Sequence, residues 1–451
     1  MQDTLKSAAL PGTLLALGAS FAHEPLVVSV LLGALAGVFT DRCIPLVAPV
    51  FVRAGRFGKD LLKKDRPVIA ESLGVVVGVV YFISMFLFIP IPFVESLLRG
   101  DRDSFPHDEA GFRGSASVCP SGATADTVRA LVQFVPYLAQ FLGGLLALFA
   151  MLFLGFADDV FDIRWRVKIW FPFIASIPLL MVYFVTYGKT DVVVPIPLRP
   201  LLGRTTLHLG VLYYVYIAAL CVFSTNAINI MAGANGVEGG QSLVIAASLA
   251  ANDLMQLRYN PSRRAAHLLS LYFLIPFICV TLGYLRHNWY PARAFGGDTL
   301  AYFSGMTFAV VGVLSNLSKT VLLFMIPQIF NFLYSCPQLF HFVECPRHRM
   351  PKLNLETGKV EATRFSLEKS KALGRLMVRF LEVFGLVHVT RDKTGKMVDC
   401  TNLTIMNLIL FWRGPMSERD LVLHIMLVQV MCSVIAFVIR YGLVHIVYNQ
   451  E

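Results

Sequence analysis

Long apolar runs recur along almost the whole of this 451-residue chain. A helix needs about 20 apolar residues to span a bilayer, and only helices or closed barrels satisfy their backbone polar groups inside lipid. Hydrophobic residues make up 56% of the chain and charged residues only 15%, which argues against an ordinary soluble protein. By this measure we expect an all-α polytopic membrane protein with about ten spans. The predicted spans cover residues 25–47, 72–94, 132–154, 169–187, 209–228, 240–256, 267–286, 299–315, 319–343 and 421–445.

The sequence predicts three parts along the chain. Residues 1–343 contain the first nine spans, and residues 421–451 contain the last span and the C-terminus. Between them, residues 344–420 form a small insert of mixed α/β character, with a hairpin predicted around Lys393–Lys396. The eight cysteines include no CxxC pair, so the sequence indicates neither a disulfide framework nor a zinc site.

Lysine and arginine concentrate in every second loop. The loops after the first, third, fifth, seventh and ninth spans hold 26 of these cations, and the alternate loops hold 11. Because cytosolic loops carry the excess of cations, we expect the first set, including the insert, to face the cytosol. The termini then lie on the other side. The net charge of +10 is not a sign of nucleic-acid binding, since its cations lie between apolar runs.

One apolar run ends abruptly at two adjacent carboxylates, Asp158 and Asp159. Three cations follow closely, at Arg164, Arg166 and Lys168. Charges at a bilayer boundary are costly, and paired acids beside cations suit a divalent metal and phosphate groups. A helix end whose charges are simply solvated gives the same pattern, and this segment alone does not separate the two interpretations.

The other unusual polar clusters fall on the same predicted face. Asn226 and Asn229 lie three residues apart on one side of a helix, and an Asn oxygen can bind Mg²⁺ together with a carboxylate such as Asp298. Arg347 and Arg349 offer planar guanidinium groups that pair with phosphate. Helix caps and a solvated basic loop are the alternatives. A transporter would place its key polar groups near the midplane of the membrane. Polar groups gathered at one membrane surface fit better with a reaction between a water-soluble substrate and a lipid substrate.

Four segments of the chain together resemble a known enzyme family: GFADDVFDIRWRVK, TNAINIMAGANGVEGGQ, HNWYPARAFGGDT and CPRHRMPKLN. They are similar to the polyprenyl-phosphate N-acetylhexosamine-1-phosphate transferases of glycosyltransferase family 4, and most similar to the eukaryotic branch. The resemblance implies a ten-helix fold and an enzyme that transfers GlcNAc-1-phosphate from UDP-GlcNAc to dolichyl phosphate and releases UMP. It also implies Mg²⁺ as cofactor and a homodimer in the endoplasmic reticulum membrane, with the active site facing the cytosol and downstream glycosyltransferase subunits as partners.

The resemblance further implies roles for individual residues. It assigns Asn229 and Asp298 as Mg²⁺ ligands, with Asp158, Asp159 and Lys168 as further catalytic residues. The implied UDP-GlcNAc contacts are Lys59, Asp60, Leu61, Glu71, Asn235, Arg347, His348 and Arg349. The implied dolichyl-phosphate contacts are Lys168, Val222, Phe223, Ser224, Thr225, Asn226, Ala227, Ile228, Asn229 and Ile230. The chain departs from the family pattern at Asp162 and Lys59, where we expect Asn and Gln.

Charge considerations suggest how such a reaction proceeds. A phosphate monoester must attack the β-phosphorus of a diphosphate, so catalysis consists mainly of positioning and charge neutralisation. We expect direct displacement without a covalent enzyme intermediate. Two alternatives stay open from the sequence: a lipid or nucleotide-sugar transporter without catalysis, and the same chemistry with another sugar or polyprenyl acceptor.

Overall fold

The computed structural model describes residues 24–93, 125–346 and 349–444, and most of these residues are helical. The α-helices in these ranges, α1 to α15, are Pro25–Arg53, Gly74–Phe88, Ala125–Phe161, Trp165–Lys168, Trp170–Thr186, Arg199–Leu202, Val211–Ile230, Val237–Tyr259, Arg264–Asn288, Gly297–Leu314, Ser318–Phe324, Ile326–Leu339, Ala372–Val383, Ile405–Arg413 and Glu418–Val438. The strands in the same ranges, β1 to β9, are Phe57–Lys59, Val68–Ala70, Asp191–Val193, Thr206–His208, Lys352–Leu353, Val360–Glu361, Arg364–Ser366, Val389–Arg391 and Met397–Thr401.

Each predicted span falls on helical segments of the chain, the ninth on two α-helices and the others on one each. Within the described ranges, seven helices are long and apolar enough to cross a membrane, namely α1, α3, α5, α7, α9, α10 and α15. The ninth predicted span is broken, because α11 and α12 meet at an angle of 73°, and together they would count as an eighth. The helix α2 is shorter, and α8 is less apolar, with Asn252 and Asp253 buried in it. The structure confirms a polytopic helical membrane protein, and the total of ten spans stays a prediction.

Helix α10 lies at the centre of the bundle, where it is buried from Thr299 to Leu314. It packs closely against α3 and α7. Two glycines permit this approach: a Cβ at Gly305 would clash with the backbone of Ser224 on α7, and a Cβ at Gly155 on α3 would clash with the backbone of Thr299. The N-terminus of α10 is therefore held beside the C-terminal ends of α3 and α7, which carry the polar clusters.

After α12 the chain leaves the bundle and forms small sheets. Strands β7, β9 and β8 make an antiparallel sheet in that order, and β5 pairs with β6. The predicted hairpin is present, since β8 and β9 flank Lys393–Lys396 and the backbone N–H of Asp392 donates to the carbonyl of Lys396 at 3.0 Å. Helix α13 covers this sheet with Val378, which joins Phe365 in a separate apolar core.

Candidate active site

The adjacent carboxylates Asp158 and Asp159, at the end of α3, have different partners. Oδ1 of Asp159 accepts the backbone N–H of Asp298 at 2.7 Å, and its Oδ2 accepts the N–H and the hydroxyl of Thr299 at 3.3 Å and 2.5 Å. A Cβ at Gly297, whose φ is +70°, would meet this carboxylate. Asp159 thus caps the N-terminus of α10 from another helix and fixes the backbone of Asp298.

Lys168 joins the other carboxylate, Asp158, to Asp298. Its Nζ lies 2.9 Å from Oδ2 of Asp158 and 3.0 Å from Oδ2 of Asp298. The hydroxyl of Tyr302 donates to Asp158 at 3.0 Å, and the side chain of Asn229 interacts with both Asp298 and Tyr302. The Asp158 side chain is 2% exposed and that of Asp298 is 28% exposed. Asp158 is therefore buried against Lys168 and Tyr302, whereas the carboxylate of Asp298 is accessible to a ligand.

A cavity of about 440 Å³ opens onto this cluster. Lys168, Asn226, Asn229 and Tyr302 form its polar wall, and Arg349 reaches it from the segment that follows α12. Nη1 of Arg349 is buried and has no hydrogen-bond partner among the described residues. A buried guanidinium donor without an acceptor suits an anionic ligand, because phosphate supplies acceptor oxygens. The apolar wall consists of Ile230, Met231, Ala232, Leu339, Met350, Ile405 and Met406.

Only part of the Arg-His-Arg motif can be placed. Arg347 and His348 lie outside the described residues. Arg349 is anchored through its backbone, since Nδ2 of Asn407 on α14 donates to its carbonyl at 2.8 Å. Its burial lowers the pKa of the Arg349 guanidinium from the ordinary value, which is the expected cost of holding a charged group away from water.

Helix α7 presents only one face to the cavity. Asn226, Asn229 and Ile230 line it, in agreement with helical spacing. The opposite face of the segment from 222 to 230 is buried in helix packing, and the contact of this segment with the lipid phosphate stays a prediction. The residues on this buried face are Ser224, Thr225, Ala227 and Ile228.

A second polar network lies at the start of α8 and α15. Nδ2 of Asn235 donates to the buried Asp60 at 2.9 Å, and the backbone N–H of Asn235 donates to Oε1 of Glu418 at 2.9 Å. Lys63 pairs with Glu418, and its Nζ lies 4.1 Å from the ring centre of Tyr290. Neither Lys63 nor Glu418 was among the predicted site residues. Glu418 gave a usable signal, since it is an acid three residues before an apolar span.

The remaining predicted nucleotide contacts separate into two groups. Lys59, at the end of β1, and Leu61, just after it, are both exposed. Among the described residues, neither contacts the catalytic cluster or the second polar network. Glu71 lies toward the catalytic cluster. Burial, followed by the nearby Asp298 carboxylate, raises the pKa of Glu71 above the ordinary value for a glutamate. Glu71 therefore lies close enough to Asp298 for the two carboxylates to repel each other.

The predicted Mg²⁺ ligands, Asn229 and Asp298, lie next to each other, and Asn229 lines the cavity. Among the described residues, no group of three or more His, Cys, Asp or Glu side chains is arranged to hold a metal ion. Mg²⁺ commonly takes one or two carboxylates and completes its coordination with water and substrate phosphate oxygens. One accessible carboxylate beside one amide oxygen fits that mode of binding, and not an all-protein metal cage.

Comparison with known proteins identifies the family of this chain. The family model described as glycosyl transferase family 4 matches residues 141–316. A Schizosaccharomyces pombe protein named UDP-N-acetylglucosamine–dolichyl-phosphate N-acetylglucosaminephosphotransferase is 44% identical over 440 residues, which cover 95% of each chain. The chain belongs to this phosphotransferase family. Relatives of the same name are 38% identical in Saccharomyces cerevisiae, covering 94% of this chain and 93% of the relative, and 39% identical in Dictyostelium discoideum, covering 91% and 88%.

Membership in the phosphotransferase family confirms the resemblance found in the four sequence motifs. The segment that matches the family model includes the cluster around Lys168 and both predicted metal ligands on α7 and α10. Arg349 and Glu418 lie outside that segment but inside the long match to the phosphotransferase relatives. The cavity of this chain is thus assembled from both regions.

Proposed function

We propose that this protein transfers GlcNAc-1-phosphate from UDP-GlcNAc to dolichyl phosphate, giving GlcNAc-PP-dolichol and UMP. This product would be the first intermediate of the lipid-linked oligosaccharide used in protein N-glycosylation. Relatives that match nearly the full chain carry the name of this activity. The structural observation that carries the proposal is the cavity at one end of the membrane helices, where Lys168, bridged to two carboxylates, faces the buried cation Arg349.

The proposed reaction brings two anions together. An oxygen of dolichyl phosphate forms a bond to the β-phosphorus of UDP-GlcNAc, and the bond from that phosphorus to the UMP oxygen breaks. Lys168 would hold the incoming phosphate, and the free Nη1 of Arg349 would donate to the diphosphate. When bound by Asn229 and Asp298, Mg²⁺ would supply further positive charge at the diphosphate. Fixed charges of this kind act without reorganisation, so they favour the transition state.

The two carboxylates of α3 have positioning roles in this scheme. Asp158, with Tyr302, holds the ammonium of Lys168 at the cavity wall. Asp159 holds the backbone of Asp298 through the start of α10. The attacking phosphate is already largely ionised near neutral pH, since the second pKa of a phosphate monoester is about 6. The reaction therefore needs no strong protein base, and neither carboxylate has to act as a nucleophile.

We also infer that the cavity faces the cytosol from the endoplasmic reticulum membrane. This inference rests on the 26 lysines and arginines in the loops on the side of the cavity, against 11 on the other side. The homodimer and contacts with downstream glycosyltransferase subunits stay predictions that follow from the resemblance. Cross-linking of the full-length protein in its native membrane would test both.

The central experiment measures UMP release by the purified full-length protein in lipid nanodiscs that contain dolichyl phosphate. We expect release from UDP-GlcNAc that depends on Mg²⁺ and is lost in Asp298→Asn. The matched control is Asp162→Asn, which neutralises an exposed carboxylate near the same site. Binding of Mn²⁺, followed by its electron paramagnetic resonance spectrum, gives a second readout, and it should weaken in Asp298→Asn only.

Three results would contradict parts of the proposal. Well-folded protein that binds UDP-GlcNAc but releases no UMP would favour the transporter. Faster release with undecaprenyl phosphate, or with UDP-GalNAc, would keep the chemistry and change the substrate. Unaltered Mn²⁺ binding by an inactive Asp298→Asn variant would contradict the metal assignment alone.

A further inference from the structure

Helix α13, outside the active site, exposes a stripe of large apolar side chains. Five residues that are each at least 50% exposed form it, four on the helix and the fifth directly after it: Leu373, Leu376, Phe380, Val383 and Phe384. At 3.6 residues per turn they fall within an arc of about 100°. An exposed apolar patch of this size commonly marks an interaction surface.

The opposite face of α13 is already occupied. Val378 and Gly374 are buried, and a Cβ at Gly374 would clash with the carbonyl of Phe342. Val378 belongs to the apolar core that also contains Phe365 and Cys400. The helix is therefore fixed on the insert by one face, and the stripe is a separate surface that no described residue covers.

Both ends of α13 are tied to segments next to membrane helices. At its start, the backbone N–H of Lys371 donates to the carbonyl of Phe342, which follows α12, at 3.2 Å. Just after its end, the indole N–H of Trp412 donates to the carbonyl of Gly385 at 2.9 Å, and Trp412 lies on α14 shortly before α15. A helix of 12 residues is about 18 Å long. Each end of α13 is therefore tied to a segment close in sequence to a membrane helix, as an axis along the membrane surface would require.

The charges and neighbours of the stripe favour lipid over a protein partner. Cations accompany the helix at Lys371, Arg375 and Arg379, whereas its acid, Glu382, is paired with Arg391 at 2.6 Å. Exposed Phe340, directly after α12, and exposed Trp412 extend the apolar surface at either end. Basic residues beside Leu and Phe on an in-plane helix, with Trp at the interface, are typical of binding to anionic membranes.

We propose that α13 lies in the membrane–water interface on the side of the active site, with its stripe among the acyl chains and its cations at anionic headgroups. The contact between Lys371 and Phe342 then links the bilayer to the segment from which Arg349 reaches the cavity. Lipid binding by α13 would hold this segment, and with it the free Nη1 of Arg349, in place.

The test uses full-length protein in nanodiscs whose phospholipids carry bromine on the acyl chains, because bromine quenches tryptophan emission at short range. A Phe380→Trp variant adds one tryptophan to the four native ones, and the wild-type signal is subtracted. The control is Thr394→Trp in the exposed polar turn of the β8–β9 hairpin. We expect most of the added emission of Phe380→Trp to be quenched, more strongly with phosphatidylserine present, and that of Thr394→Trp to be unchanged.

A second arm tests the consequence for activity. The double variant Leu376→Glu, Phe380→Glu should lose the interaction with the membrane, and its UMP release should fall several-fold. The matched control is Leu355→Glu, at an equally exposed apolar site outside α13. Unquenched emission of Phe380→Trp would overturn the proposal and leave the stripe to a protein partner. Equal quenching with and without phosphatidylserine would overturn the role of the cations.

Discussion

The ammonium nitrogen of Lys168 lies 3.0 Å from Oδ2 of Asp298. The same nitrogen lies 2.9 Å from Asp158, so one cation is shared between two carboxylates. An anionic substrate that draws Lys168 toward the cavity would release Oδ2 of Asp298 for other ligands. Phosphate binding at Lys168 and metal binding at Asp298 are therefore expected to assist each other.

Replacing Lys168 by Met should reduce the rate of UMP release by roughly 10²–10³-fold, because the site loses a preorganised charge at the reacting phosphate. The variant also leaves two carboxylates facing each other without their cation. The measurement is single-turnover UMP release in nanodiscs. Arg164→Met, which removes an exposed cation from the same segment, is the control and should retain activity. Similar rates for both variants would contradict the role of Lys168.

Replacing Asp159 by Ala should lower both stability and turnover. The carboxylate accepts two backbone N–H groups and one hydroxyl at the start of α10, and loss of a helix cap costs about 0.5–2 kcal/mol. Because Asp298 is then poorly held, kcat should fall together with the apparent affinity for Mg²⁺. Thr299→Val removes only the hydroxyl contact and should have a smaller effect in the same direction. Loss of stability with normal Mg²⁺ dependence would show that Asp159 is merely structural.

Replacing Glu418 by Gln should destabilise the second polar network and raise KM for UDP-GlcNAc. Glu418 is buried and joins Lys63 to the backbone of Asn235, so breaking the pair leaves a poorly compensated charge. The control is Glu382→Gln, which breaks the more exposed pair with Arg391 and should change neither quantity measurably. Thermal unfolding in detergent and initial rates at varied UDP-GlcNAc separate the two variants. An unchanged KM for Glu418→Gln would remove this network from the nucleotide site.

The pH dependence of stability should change in Glu71→Gln. Because burial and the Asp298 carboxylate raise the pKa of Glu71, the folded protein binds a proton here more tightly than the unfolded chain does. This glutamate therefore costs stability as the pH rises above its ordinary pKa of about 4.3. The unfolding temperature of the variant should match that of the wild type at acid pH and exceed it increasingly toward neutral pH. A constant difference across this range would contradict the shifted pKa.

The sequence by itself determined the membrane architecture and the family. Apolar runs predicted the helices because a lipid environment leaves the backbone few alternatives. Even there, the break between α11 and α12 was not foreseen, because both halves belong to one apolar run. The motifs drew attention to Lys168, Asn229 and Asp298. In the structure Lys168 and Asn229 line one cavity, and both contact Asp298.

Only the tertiary structure decided what each side chain does. Asp158 and Asp159 are neighbours in sequence, yet they have different partners, so one holds Lys168 and the other caps α10. Lys63 and Glu418 pair although 355 positions separate them. Hydropathy and helical spacing are local properties that a sequence displays directly. The partner of a buried charge depends on which distant helices pack together, and that choice is made by the whole fold.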